Sequence, residues 1–162
     1  MLLTAPDDSI FEMKLLAYEY FGARKDPWDL NLLRVLLSVR YADGTEARAT
    51  TYLLTSEVHR LITWFDALLH KQVTETECHF YHGELRFELF ELLEEYAAFR
   101  ASFYFSHGRQ SLLPKKREKE YEWLGHLEFD LTHAQLETAL SSFKDEATLF
   151  PERVSQTRKG NT

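Results

Sequence analysis

Covalent chemistry needs nucleophiles, acid–base pairs or metal ligands held at fixed spacing. The densest such group in this chain is Cys78-His79-Phe80-Tyr81-His82. A structural zinc takes about four N/S ligands at ~2.0–2.3 Å. Side chains alternate along a strand, so His79 and His82 point to opposite faces. No second Cys or His pair stands at ligand spacing. The pattern reads as two histidines at a sheet edge beside a small buried thiol, and no metal is assigned. Ser106-His107-Gly108 sets a hydroxyl beside an imidazole. A triad needs a base that reaches the hydroxyl and a third group that orients the base, and adjacency in a loop supplies neither. No G-x-S-x-G elbow and no glycine-rich phosphate cradle is present. Lys115-Lys116-Arg117 lies near Tyr121 and Trp123, but Glu118, Glu120 and Glu122 dilute its charge. A nucleic-acid surface is disfavoured on that ground. No catalytic residue, metal ligand or cofactor site is assigned.

One cluster remains. Glu75, Glu77, Glu84, Glu88, Glu91, Glu94 and Glu95 share their segment with Arg86 as its single Lys or Arg. That concentration of carboxylates stands out in a chain of net charge −7. Solvated acids keep a protein soluble. They also offer a docking surface to a cationic partner, where charge raises encounter rate and selects partners more than it adds affinity. These seven glutamates are the candidate partner-binding residues.

Strands are predicted to position them. Phe11, Met13, Leu15 and Ala17 alternate with Glu12, Lys14, Leu16 and Tyr18, a period of two. Leu33, Val35, Leu37, Val39 and Tyr41 repeat it. Asp43-Gly44 accepts the positive φ of a tight turn, and 45–54 returns as the second arm. The segments 75–82, 85–90, 96–106 and 121–129 read as further strands. Two amphipathic helices follow strand-like runs. One spans about 58–71 with Val58, Leu61, Ile62, Phe65, Leu68 and Leu69 on its stripe. Thr55 is its expected hydroxyl cap. The other carries Leu136, Leu140, Phe143 and Ala147, opened by a Thr132–Gln135 capping box. About seven strands with short connections and two helices predict an α+β fold, mainly antiparallel sheet with both helices packed on it. The two strand–helix units are too unlike in sequence to read as a duplication.

At 162 residues one domain is the default, taken as 1–153, with 154–162 a polar disordered tail. Residues 1–8 read as a frayed lead-in without the basic and apolar regions of a signal peptide. No run approaches 18 apolar residues, so no membrane span is expected. A lone Cys78 excludes an internal disulfide and suits a reducing cytosol.

The chain resembles the WapI-type immunity proteins of bacteria. The likeness begins at Trp28-Asp29-Leu30-Asn31-Leu32-Leu33-Arg34-Val35, where the family shows an aspartate, an asparagine and an aromatic–aliphatic pair entering a strand. Leu32 stands where tryptophan is common. The likeness continues through Leu54-Thr55-Ser56-Glu57 and its helix with Trp64-Phe65. It passes Phe80-Tyr81-His82-Gly83-Glu84-Leu85-Arg86-Phe87, which lacks the family's Glu-Pro turn. It closes at Leu149-Phe150-Pro151-Glu152-Arg153. The resemblance implies a cytoplasmic, non-catalytic protein that binds and neutralises a cognate toxin C-terminal domain, often a basic nuclease. Neither nucleic acid nor membrane is an expected partner. Two other readings compete. One is a small enzyme with a pocket between sheet and helices, using His79, Glu88 or His126. The other is a homodimer whose seam is the aromatic face around Tyr104, Tyr121 and Trp123.

Overall fold

The computed structural model describes residues 1–20, 27–81, 85–103 and 125–153. Eight strands form two antiparallel sheets. Sheet one runs β1 (Leu2–Thr4), β2 (Ile10–Tyr18), β3 (Leu32–Arg40), β4 (Glu46–Leu54) in chain order. Sheet two runs β5 (Glu77–His79), β6 (Leu85–Leu92), β7 (Tyr96–Phe103), β8 (Gly125–Thr132). A short helix α1 (Pro27–Asn31) precedes β3, and the helices α2 (Thr55–Leu69) and α3 (His133–Ala147) directly follow β4 and β8. The α+β, mainly antiparallel reading holds, with the strands divided between two sheets and one short helix added.

Alternation explains why these segments are strands. Leu33, Val35, Leu37 and Val39 are buried, and so are Ala97, Phe99, Ala101 and Phe103. These inner faces meet: the Phe11 ring of sheet one lies 6.1 Å from Phe87 and 6.2 Å from Phe103 of sheet two. Helix α2 joins the same cluster through Phe65, 5.5 Å from Phe87 and 5.6 Å from Phe99. Phe11, Phe65, Phe87, Phe99, Phe103, Phe129 and Phe143 are all fully buried. Each such ring contributes roughly 1.5–3 kcal/mol relative to exposure. The α3 stripe of Leu136, Leu140, Phe143 and Ala147 is buried as predicted. On α2 the stripe also includes Trp64, whose indole N–H donates to the Glu75 carbonyl at 3.0 Å.

Three expectations change. Residues 1–8 are not a frayed lead-in: Leu2, Leu3 and Thr4 pair with Glu12, Phe11 and Ile10, and Leu3 is buried. Strict alternation fails in β2, where a register shift between Leu15 and Ala17 turns Tyr18 inward and leaves Ala17 half-buried. A bulge of this kind adds a residue and moves every later side chain to the other face. Finally, Thr55 does not cap α2. The helix begins at Thr55 itself, and the Thr55 hydroxyl is buried without a hydrogen-bond partner. The Glu57 carboxylate substitutes by accepting the Leu54 backbone N–H at 2.8 Å. Thr132 does cap α3 as predicted, accepting from the Gln135 N–H at 3.3 Å while Gln135 accepts the Thr132 N–H at 2.9 Å.

Apart from α1, the described residues use one element order twice: a short strand, three long strands in a meander, then a 15-residue helix. Both halves also carry their bulge in the second strand, β2 and β6. The sequence alone reads as unlike halves; the topology repeats.

Candidate functional site

The outward face of sheet two collects ionisable side chains in cross-strand rows. Register places His79, Arg86, Ser102 and His126 side by side on β5 to β8. The next row is Glu77, Glu88, Arg100 and Glu128. After the β6 bulge, Glu91, Ala98 and Asp130 form a third. Opposed residues on adjacent strands lie about 4.5–5.5 Å apart at Cβ, so Glu77 directly opposite Glu88 is repulsive on its own. Arg86 relieves it by bonding the Glu77 carboxylate and standing 3.7 Å from Glu88. Arg100 bonds Glu128 at 2.6 Å and stacks over the half-exposed Phe90 ring at 4.7 Å. The His79 Nε2 is 2.6 Å from Glu77. Desolvation acts upward on the Glu77 carboxyl, but its bonds to Arg86 and His79 hold it below the ordinary range.

Among the described residues, these rows hold five carboxylates and two guanidiniums. Of the seven glutamates singled out by sequence, Glu77, Glu88 and Glu91 stand on this face. Glu94 and Glu95 are exposed in the turn between β6 and β7, and Glu75 is exposed just before β5. Glu84 lies outside the described residues. Sequence reasoning missed Glu128 and Asp130, which join the face from β8. The signal was present: Leu127, Phe129 and Leu131 point inward, so the residues between them point out.

The residues proposed for an enzyme pocket are not gathered in one. His79 and His126 occupy the two edges of the outer face, and Glu88 lies in the adjoining row. Cys78 points into the core, and burial pushes its thiol up to about 11. Among the described residues no group of three His, Cys, Asp or Glu could hold a metal ion. His82, the Ser106-His107 pair, Lys115 to Arg117, the Tyr104, Tyr121 and Trp123 seam and the 154–162 tail lie outside the described residues.

A second surface feature adjoins the first. An open cleft of about 520 Å³ is lined by Trp28, Ser56, Glu57, Arg60, His79 and Tyr81, among others. Trp28 is 54% exposed and Tyr81 72%, with ring centroids 5.2 Å apart. Buried Glu57 anchors the floor: it accepts the Tyr81 backbone N–H as well as that of Leu54, and Arg60 lies 3.4 Å away. The Arg60 guanidinium also lies over the Phe80 ring at 5.8 Å.

The segments that carry the family resemblance meet in space. Asn31 donates to the Arg153 carbonyl at 3.0 Å and accepts the Arg153 N–H at 2.7 Å. Arg153 lies 3.3 Å over the Tyr18 ring, and the Tyr18 hydroxyl donates to the Pro151 carbonyl. Asn31 is thus a tertiary clamp, which its turn preference alone does not reveal.

No helix among the described residues is long and apolar enough to cross a membrane. No curated protein and no solved structure matches the chain. Residues 1–151 match the model of the Immunity protein WapI-like family, and the chain belongs to that family.

Proposed function

We propose that this member of the WapI-like immunity family binds and neutralises a cognate bacterial toxin domain, and that the outer face of sheet two is its docking surface. Family membership supports the immunity role. The observation that supports the surface is the set of three rows in which, among the described residues, Glu77, Glu88, Glu91, Glu128 and Asp130 outnumber Arg86 and Arg100 on one sheet face. A toxin that handles nucleic acid needs cationic side chains for phosphates, so its active surface is positive. An acidic sheet meets that surface with complementary potential and covers it. The sheet is suited to this task because every one of its strands is held in a backbone ladder, the central β6 and β7 on both sides, so its charges are held in place before the partner arrives. The cell would keep the protein in the cytoplasm, where it meets the toxin before damage is done. Inhibition of this kind requires no bond to be made or broken by the immunity protein.

The test is a titration of the toxin domain encoded beside this chain, by calorimetry, together with an assay of the toxin's activity. The proposal expects a 1:1 complex and loss of toxin activity at one equivalent. A toxin that stays fully active at saturating concentrations of this chain overturns it.

A further inference from the structure

Sheet one and sheet two each shift register once, and each shift leaves an apolar side chain outside the core. The residue skipped between β2 and β3 is Leu16, and the one skipped between β6 and β7 is Phe90. Leu16 is 37% exposed and Phe90 49%. A bulge sets two consecutive residues against one on the partner strand and re-aims a side chain. Here Phe90 and Glu91 stand on the outer face together, between Leu89 and Leu92, which pack against the core. Resting on the toxin-binding reading, we propose that Phe90 is the apolar anchor of the acidic face. The toxin domain receives its ring in an apolar recess bordered by basic side chains, and this contact sets how long the complex lasts.

Three observations select that occupant. The ring is held before contact: the Arg100 guanidinium lies over it at 4.7 Å and is itself bonded to Glu128 at 2.6 Å. A side chain already held in place loses less freedom when a partner covers it. The apolar surface continues at Leu93, which is 41% exposed where β6 enters the turn to β7. Carboxylates bracket both: Glu88 precedes Phe90, Glu91 follows it with Asp130 in its row, and Glu94 and Glu95 are exposed in the turn. An apolar group among carboxylates is complementary to an apolar recess among cations, and interfaces commonly have an apolar centre within a polar rim. The two parts of such a face act on different rates. Rim charge steers encounter, whereas a desolvated aromatic at the centre slows dissociation.

The experiment measures association and dissociation rates of the toxin domain encoded beside this chain, at several ionic strengths, by surface plasmon resonance. It compares the unmodified chain with Phe90→Ala and Leu16→Ala. Phe90→Ala is expected to dissociate about tenfold faster or more, with association rate and salt dependence within about twofold of the unmodified chain. Leu16→Ala, which removes the corresponding side chain from the other sheet, is expected to change neither rate. An unchanged dissociation rate in Phe90→Ala overturns the anchor and leaves toxin binding standing. Equal acceleration in Leu16→Ala overturns it too, because the effect then does not belong to the acidic face. Denaturation midpoints check that Phe90→Ala is folded; if it is not, Phe90→Gln takes its place with the same expectation. Sedimentation of the free chain tests the other occupant: a dimer dispersed by Phe90→Ala assigns the ring to a second copy and overturns the proposal. A toxin domain that does not bind the unmodified chain removes the immunity reading and the anchor together.

Discussion

Two threonines placed alike in the sequence have opposite roles. Thr132 sits outside the first turn of α3, where its hydroxyl accepts an N–H that the helix leaves unpaired. Thr55 sits inside the first turn of α2, with a buried hydroxyl that meets no partner. Thr132→Ala should cost about 1 kcal/mol in a denaturant titration. Thr55→Val should be neutral or stabilising by up to about 1 kcal/mol, because it replaces an unsatisfied polar atom with a methyl. A large loss in Thr55→Val would mean that its hydroxyl is in use. Cys78 makes a second prediction. Burial raises its folded pKa from 9.0 to about 11, so the fold favours the neutral thiol. The stability this contributes is complete below pH 9 and disappears as pH rises through about 11. Denaturant midpoints should fall between pH 9 and 10, and Cys78→Ala should flatten that slope. The same burial should make Cys78 react slowly with thiol reagents at neutral pH.

At the scale of elements, what was legible in the sequence is what depends on period. The stripe of α3 and the inner faces of β3 and β7 follow directly from apolar spacing, as does the Asp43-Gly44 turn, with Gly44 at φ +84°. What was illegible depends on contacts between distant segments. β1 is only three residues long and has no period to read; it is a strand because β2 pairs with it. The bulges in β2 and β6 reset alternation through pairing, and nothing in Leu15-Leu16-Ala17 announces that. The acidic run from Glu75 to Glu95 was visible, but its interleaving with Arg86, Arg100 and the β8 acids requires the register. The Asn31–Arg153 clamp is the clearest case, since it joins α1 to the segment after α3 across 122 positions. Asn31→Ala removes both hydrogen bonds and leaves backbone groups of Arg153 unpaired. It should cost about 1–3 kcal/mol. Hydrogen exchange should rise at Arg153 in that variant; unchanged protection there would contradict the clamp.

At the scale of the molecule, the described residues present, α1 apart, one element order twice and join the two sheets through a shared aromatic core. That arrangement turns one sheet face of each half outward. On sheet two the outward face carries the ionisable rows, while the residues behind it are the buried rings of Phe87, Phe99 and Phe129. Function on this account comes from charge held at fixed positions on a sheet, with an aromatic anchor at the β6 bulge. The most direct measurement is stopped-flow association with the toxin domain at several ionic strengths, comparing the unmodified chain with the Glu88→Lys, Glu91→Lys, Asp130→Lys triple variant. The account predicts association at least tenfold slower for the variant at low salt, with a flatter or reversed salt dependence. An association rate and salt dependence indistinguishable from those of the unmodified chain would contradict it.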